Sequence, residues 1–155
     1  NLPKPIFHKG GCNLSFAGLK TSILKISKNI KSNQEKYDLA ASFQKTVLEI
    51  LHKKTKIAFG EFENQNKVKE KKFIIAGGVA ANKNIRSMLE KLCIEENYQS
   101  IFPAIELCGD NAAMIALVGL EKFKIKQFDN LNHPARPRWQ LDEKAAFLKG
   151  AGVKL

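Results

Sequence analysis

The chain has 155 residues, 44% hydrophobic and 26% charged, a composition that fits a globular domain and excludes wholesale disorder. A chain of that length buries about 68–70% of the surface its unfolded form exposes, enough for a sizeable core. Its 26 basic residues against 15 acidic ones leave a net charge of +11, which suits a nucleic-acid partner; the arginines are only Arg86, Arg136 and Arg138, and a lysine excess serves equally as solvated surface.

The opening Asn1-Leu2-Pro3-Lys4-Pro5 has neither an initiator Met nor an apolar signal core, and reads as the interior of a longer protein. Asn13 to Phe16 is a short strand candidate. Leu19, Ile23, Ile26 and Ile30 then recur at helical steps and define one apolar face. Asp38 is a suitable N-cap for a long helix from Leu39, with a stripe of Leu39, Phe43, Val47, Ile50, Leu51 and Ile57, fading near Gly60. The charged, aperiodic residues 61–72 are expected to form an exposed loop. Phe73 to Ala76 is a continuous apolar run, as in a strand buried on both faces, and it ends at Gly77-Gly78. A helix from near Asn82 carries Ile85, Met88, Leu89 and Leu92. Ser100 to Phe102 is a further strand, and Asp110 stands before a last helix with Met114, Ile115, Leu117, Val118 and Leu120. Residues 129–155, with Pro134 and Pro137, form an irregular tail. Strands alternating with helices imply an α/β fold. The strands are too few to cover these helical faces, so the domain is expected to be incomplete.

Three stretches offer chemistry. Ser15 to Thr21 is a strand-to-helix turn in which Gly18 permits close approach or unusual dihedrals. Ala76 to Asn82 places two glycines before a helix, so that a ligand either lies against bare backbone and the helix N-terminus, or finds only a packing turn with Asn82 as its cap. The stretch lacks both the G-x-G-x-x-G and the P-loop signatures. In Cys108 to Ala116, Asp110 is either a cap or a metal ligand, and a lone Asp needs ligands from elsewhere. Cys12, Cys93 and Cys108 form no C-x-x-C pair, which argues against a disulfide framework or structural zinc and fits a reducing cytoplasm. His8, His52 and His133 make no H-x-x-x-H, no catalytic triad is evident, and no apolar run reaches the roughly 20 residues of a membrane span. No catalytic residue is assigned.

The same stretches resemble, in order, the F-S-F-S-G-L-K-T, A-G-G-V-A-A-N and C-T-D-N-A-A-M-I-A blocks of the tRNA adenosine threonylcarbamoyltransferase family, formerly known as glycoproteases. Ala135 to Trp139 resembles its terminal A-R-P-R-W. Leu14, Ala17, Gly109 and Gln140 depart from the pattern. The resemblance implies that residues 1–155 are the C-terminal part of such a protein, namely the C-terminal lobe of an actin-like (ASKHA, ribonuclease H-like) ATPase fold. Family members transfer a threonylcarbamoyl group from threonylcarbamoyl-adenylate to the exocyclic nitrogen of the adenine beside the tRNA anticodon. It further implies substrate contact by Asn82 with Gly77 and Gly78, and Asp110 as ligand to one divalent metal, iron or zinc-like. The remaining metal ligands are an H-x-x-x-H pair in an N-terminal lobe that this chain lacks, so the chain alone is expected to be inactive. The implied partners are that lobe, tRNA, the acyl-adenylate, and the paralogous dimerisation partner and ATPase partner of the bacterial modification complex, in the cytoplasm and without a membrane. A generic actin-like nucleotide-binding lobe and a non-catalytic basic RNA-binding scaffold are the alternatives.

Overall fold

The computed structural model of the chain describes residues 2–132 together with Pro134, Ala135 and Pro137. It divides into two units, residues 1–111 and residues 112–155. The first contains helix α1 (Ala17–Ser27), helix α2 (Asn33–Gln65), strand β1 (Lys72–Ile74), a 3-10 turn at Gly78–Ala81, helix α3 (Lys83–Glu95), strand β2 (Gln99–Ile101) and a 3-10 turn at Ile105–Leu107. The second contains helix α4 (Ala112–Lys124). The architecture is α/β with a parallel pair, Phe73 standing opposite Ser100, and α3 as the crossover that parallel strands require.

The core lies where α2 and α3 meet one face of this pair. Ile85, Leu89 and Leu92 recur at helical spacing on α3 and are buried with Cys93, Tyr98 and Phe59. Phe59 stacks on Tyr98 with ring centroids 3.8 Å apart and meets Phe73 edge-on at 5.0 Å. Phe73 and Ile75 pack against this cluster, whereas Ile74 points away and is 69% exposed. The strand is therefore not buried on both faces as its apolar run suggested. Helices cover one side of the pair, and the alternation of the strand turns every second residue to the bare side.

Several boundaries also differ from the sequence reading. Asn13 to Phe16 is not a strand; both described strands are already paired with each other, and Leu14 is 49% exposed. Helix α2 begins at Asn33 rather than Leu39. Ser32 is its N-cap, with Ser32 Oγ accepting from the Glu35 amide at 3.2 Å, while Glu35 Oε2 accepts from the Lys31 amide at 2.7 Å. The first bond satisfies a donor that the helix start leaves open, and the second ties the residue before the cap to the first turn. Asp38 lies inside the helix and accepts from Gln34 at 2.9 Å. The helix also passes through Gly60, so residues 61–65 are helical, and only residues 66–71 are an irregular connection to β1. Residues 129–132 form no helix or strand, and His133, Arg136 and residues 138–155 lie outside the described residues.

The N-terminal segment is held to α2 by Lys54. Its ammonium is buried and donates to the carbonyls of Lys9 at 2.7 Å and Gly11 at 3.0 Å, and Lys4 pairs with Glu49 on the same helix. Among the described residues no helix is long and apolar enough to cross a membrane. Helix α4, in its own unit, exposes Ile115, Leu117, Val118 and Phe123.

Candidate functional site

Gly77 has φ +88°, a conformation that glycine adopts without the strain a Cβ would bring, and it turns the chain out of the β1 edge. Gly78 follows in the 3-10 turn, and a Cβ built on it would meet nothing within 4 Å. The backbone there is open to an approaching molecule. Gly18, by contrast, is a helical residue of α1 without a positive φ, so of the two roles open to it the unusual dihedral is not found, and an added Cβ would stand 3.5 Å from Pro5, an ordinary contact.

Asn82 is the N-cap of α3. Its Oδ1 accepts from the amides of Asn84 at 3.0 Å and Ile85 at 3.2 Å, and its Nδ2 donates to Gln44 Oε1 at 3.3 Å. Two amides of the first turn are thus taken by the cap itself, the second of the two alternatives for this stretch, and are not open to a ligand. The side chain keeps one amide hydrogen for a ligand. Asn82 is exposed and stands against α2 through Gln44, a neighbour no local pattern announces.

Two of the motif stretches meet across a groove of about 760 Å³ between α1 and α2. Phe16 and Lys20 of the first stretch and Val79 of the second line it, with Ile23, Phe43 and Val47 between them. The groove is almost wholly apolar, and Lys20 and Lys36 are its cations.

The second and third stretches are joined by Arg86. Its Nε donates to the Ala80 carbonyl, and Nη2 donates to the Pro103 carbonyl at 2.7 Å and to Cys108 Sγ at 3.1 Å. The guanidinium also lies 4.7 Å from the centroid of the Phe102 ring. Cys108 is buried at 3% exposure. Asp110 follows two residues later, exposed, and it is Asn111 that immediately precedes the first residue of α4. The N-cap alternative for Asp110 therefore loses its position by one residue.

His8 is exposed and meets Phe7 edge-on, and His52 is a half-buried member of α2. Among the described residues no three His, Cys, Asp or Glu side chains stand together as a metal site. Asp110 is a single oxygen donor, and the residues present do not complete a coordination shell around it. Cys12, Cys93 and Cys108 are all free. Burial, with Glu90 nearby, pushes the Cys93 thiol up, and the hydrogen bond to Glu61 raises that of Cys12.

Residues 1–117 match the model of the family described as tRNA N6-adenosine threonylcarbamoyltransferase. Proteins of that name are similar along nearly the whole chain. The one from Pelagibacter ubique is 72% identical over 154 residues, which is 99% of this chain and 43% of the relative. That from Rickettsia rickettsii is 44% identical over 144 residues, covering 91% of this chain and 42% of the relative. That from Zymomonas mobilis is 42% identical over 153 residues, covering 99% and 41%. The chain thus spans well under half the length of the curated relatives it matches.

Proposed function

Since the chain belongs to the tRNA N6-adenosine threonylcarbamoyltransferase family, we propose that it is the C-terminal portion of a transferase that moves a threonylcarbamoyl group from threonylcarbamoyl-adenylate to the exocyclic nitrogen of a tRNA adenine. In that transfer the adenine nitrogen bonds to the carbamoyl carbon, the bond to the adenylate phosphate oxygen breaks, and the nitrogen loses a proton. The observation that supports this reading best is the meeting of the family's separate sequence blocks, the first and second at one groove and the second and third through Arg86. The fold is read as one lobe of the actin-like architecture. The acyl-adenylate lies at the Gly77-Gly78 turn, where the backbone is open and Asn82 retains a donor. Asp110 supplies one ligand to a divalent metal, and the H-x-x-x-H pair that completes it comes from a portion of the protein outside this chain. A paralogous partner and an ATPase partner complete the cytoplasmic assembly that acts on tRNA.

The test is a comparison of the chain alone with the chain joined behind the N-terminal portion of the Pelagibacter ubique relative. Both are given tRNA, threonine, bicarbonate, ATP and the partner proteins. The joined protein should modify tRNA and the chain alone should not. A joined, folded protein that makes no threonylcarbamoyladenosine would overturn the reading.

Asn82 supplies a finer test in the joined protein. Asn82→Asp keeps a good cap, because Asp and Asn cap about equally, but replaces the amide donor by a carboxylate. Loss of a hydrogen bond to a buried polar ligand costs on the order of 1–3 kcal/mol, so adenylate affinity should fall by roughly 5- to 150-fold while the melting temperature holds. Asn82→Ala should lose affinity and also about 1 kcal/mol of stability. Unchanged affinity in both variants would leave Asn82 as a cap alone.

A further inference from the structure

Resting on the transferase reading, we infer that Arg86 is a positioning residue, a guanidinium tie that sets the Gly77–Asn82 turn against the segment carrying Asp110. Arg86 lies on α3 one turn after the cap, and long helical side chains lean back toward the helix N-terminus. From there its planar fork reaches acceptors on two segments that are far apart in sequence. Ala80 belongs to the turn between β1 and α3, while Pro103 and Cys108 belong to the connection that follows β2.

The acceptors are two backbone carbonyls and a cysteine sulfur, and Arg86 takes part in no ion pair among the described residues. A half-buried cation spent on two carbonyls and a thiol is a poor stability device compared with an apolar side chain of similar size. Its benefit is geometric. Hydrogen bonds from a charged donor are about twice as strong as neutral ones, and a rigid fork fixes direction as well as distance. The tie ends two residues before Asp110 and begins two residues before Asn82, so a shift at either end moves a proposed ligand-bearing side chain. The Phe102 ring, 4.7 Å from the guanidinium, adds a cation–π contact on the same fork. Lysine could hold at most part of this arrangement, since its ammonium is a point donor on a flexible stem.

The test uses the joined protein with Arg86→Lys and Arg86→Met, read in two ways. In the transferase assay, kcat should fall roughly 10- to 100-fold, as it does when supporting residues of a site are lost, with the KM for tRNA little changed. The second reading needs no catalysis. Cys12 is exposed and should react quickly with a small aromatic disulfide reagent in every form, whereas Cys93 and Cys108 are buried and should be protected. In Arg86→Met, Cys108 should become reactive at least tenfold faster while Cys93 stays protected, because only the tied segment is released. Unchanged protection of Cys108, or its lack of protection in the parent protein, overturns the tie. Exposure of Cys93 and Cys108 together in both variants also overturns it, by making Arg86 a general stability residue. An inactive parent protein with selective Cys108 release would overturn the transferase reading and leave the tie standing.

Discussion

Phe59→Ala is expected to cost about 3–5 kcal/mol of folding stability, the range for deleting a buried aromatic ring. Phe59 is 3% exposed, lies face to face on Tyr98, and meets Phe73 of β1 edge-on. Its backbone carbonyl accepts from the Tyr98 hydroxyl at 3.4 Å. One ring therefore joins helix α2, to which it belongs, to the residue that leads into β2 and to strand β1. Its removal leaves a cavity where all three converge. Domains of this size hold only roughly 5–15 kcal/mol in total, so the variant should melt far below the parent protein or be largely unfolded at room temperature. Leu24→Ala is the contrast, because Leu24 is 60% exposed on α1 and its truncation should stay within about 0.5 kcal/mol. Urea melts of the three proteins decide the matter. Equal losses for Phe59 and Leu24 would mean that the core does not centre on the aromatic stack.

Asp110→Asn should leave the fold intact and remove metal and activity from the joined protein. Asp110 is exposed, and no hydrogen bond or ion pair of its carboxylate is found among the described residues, so the nearly isosteric amide disturbs no internal partner. As a ligand, the same change removes a formal charge and a strong oxygen donor. Outer-shell changes at metal sites already cost roughly 10- to 100-fold in affinity, and loss of a direct ligand should exceed that. Metal content after dialysis, transferase rate and melting temperature are measured side by side. Retained metal and rate would withdraw Asp110 from the metal; a lowered melting temperature with retained metal would give it a structural role.

The candidate site was legible in part. Gly77 was identifiable because a glycine pair after an apolar run marks a turn, and its φ of +88° bears this out. Asn82 was identifiable as a cap whose Oδ1 closes on two amides of its own helix, but nothing near it in sequence revealed that Nδ2 would bond Gln44, a residue 38 positions earlier. Arg86 was legible only as part of the net charge, since nothing in its neighbourhood in sequence points to Pro103 or Cys108. One missed feature did carry a local signal: Ser32 and Glu35 are spaced as a capping pair, and that spacing outweighs the single Asp38.

By itself the sequence determined the features that depend on near neighbours and on blocks read in order. These are the apolar face of α3 at Ile85, Leu89 and Leu92, the two strands flanking that helix, and membership of a transferase family through residues 1–117. Only the tertiary structure decided which faces are covered. Ile74 is as apolar as Phe73, yet one is exposed and the other packed, because helices lie on a single side of the parallel pair. Only the tertiary structure, too, brought Phe16 and Val79 to one groove and Ala80 and Cys108 to one guanidinium. Periodicity reports the face a residue occupies on its own element, within a few positions along the chain. What that face meets is set by packing between elements tens of residues apart, which leaves no period in the sequence.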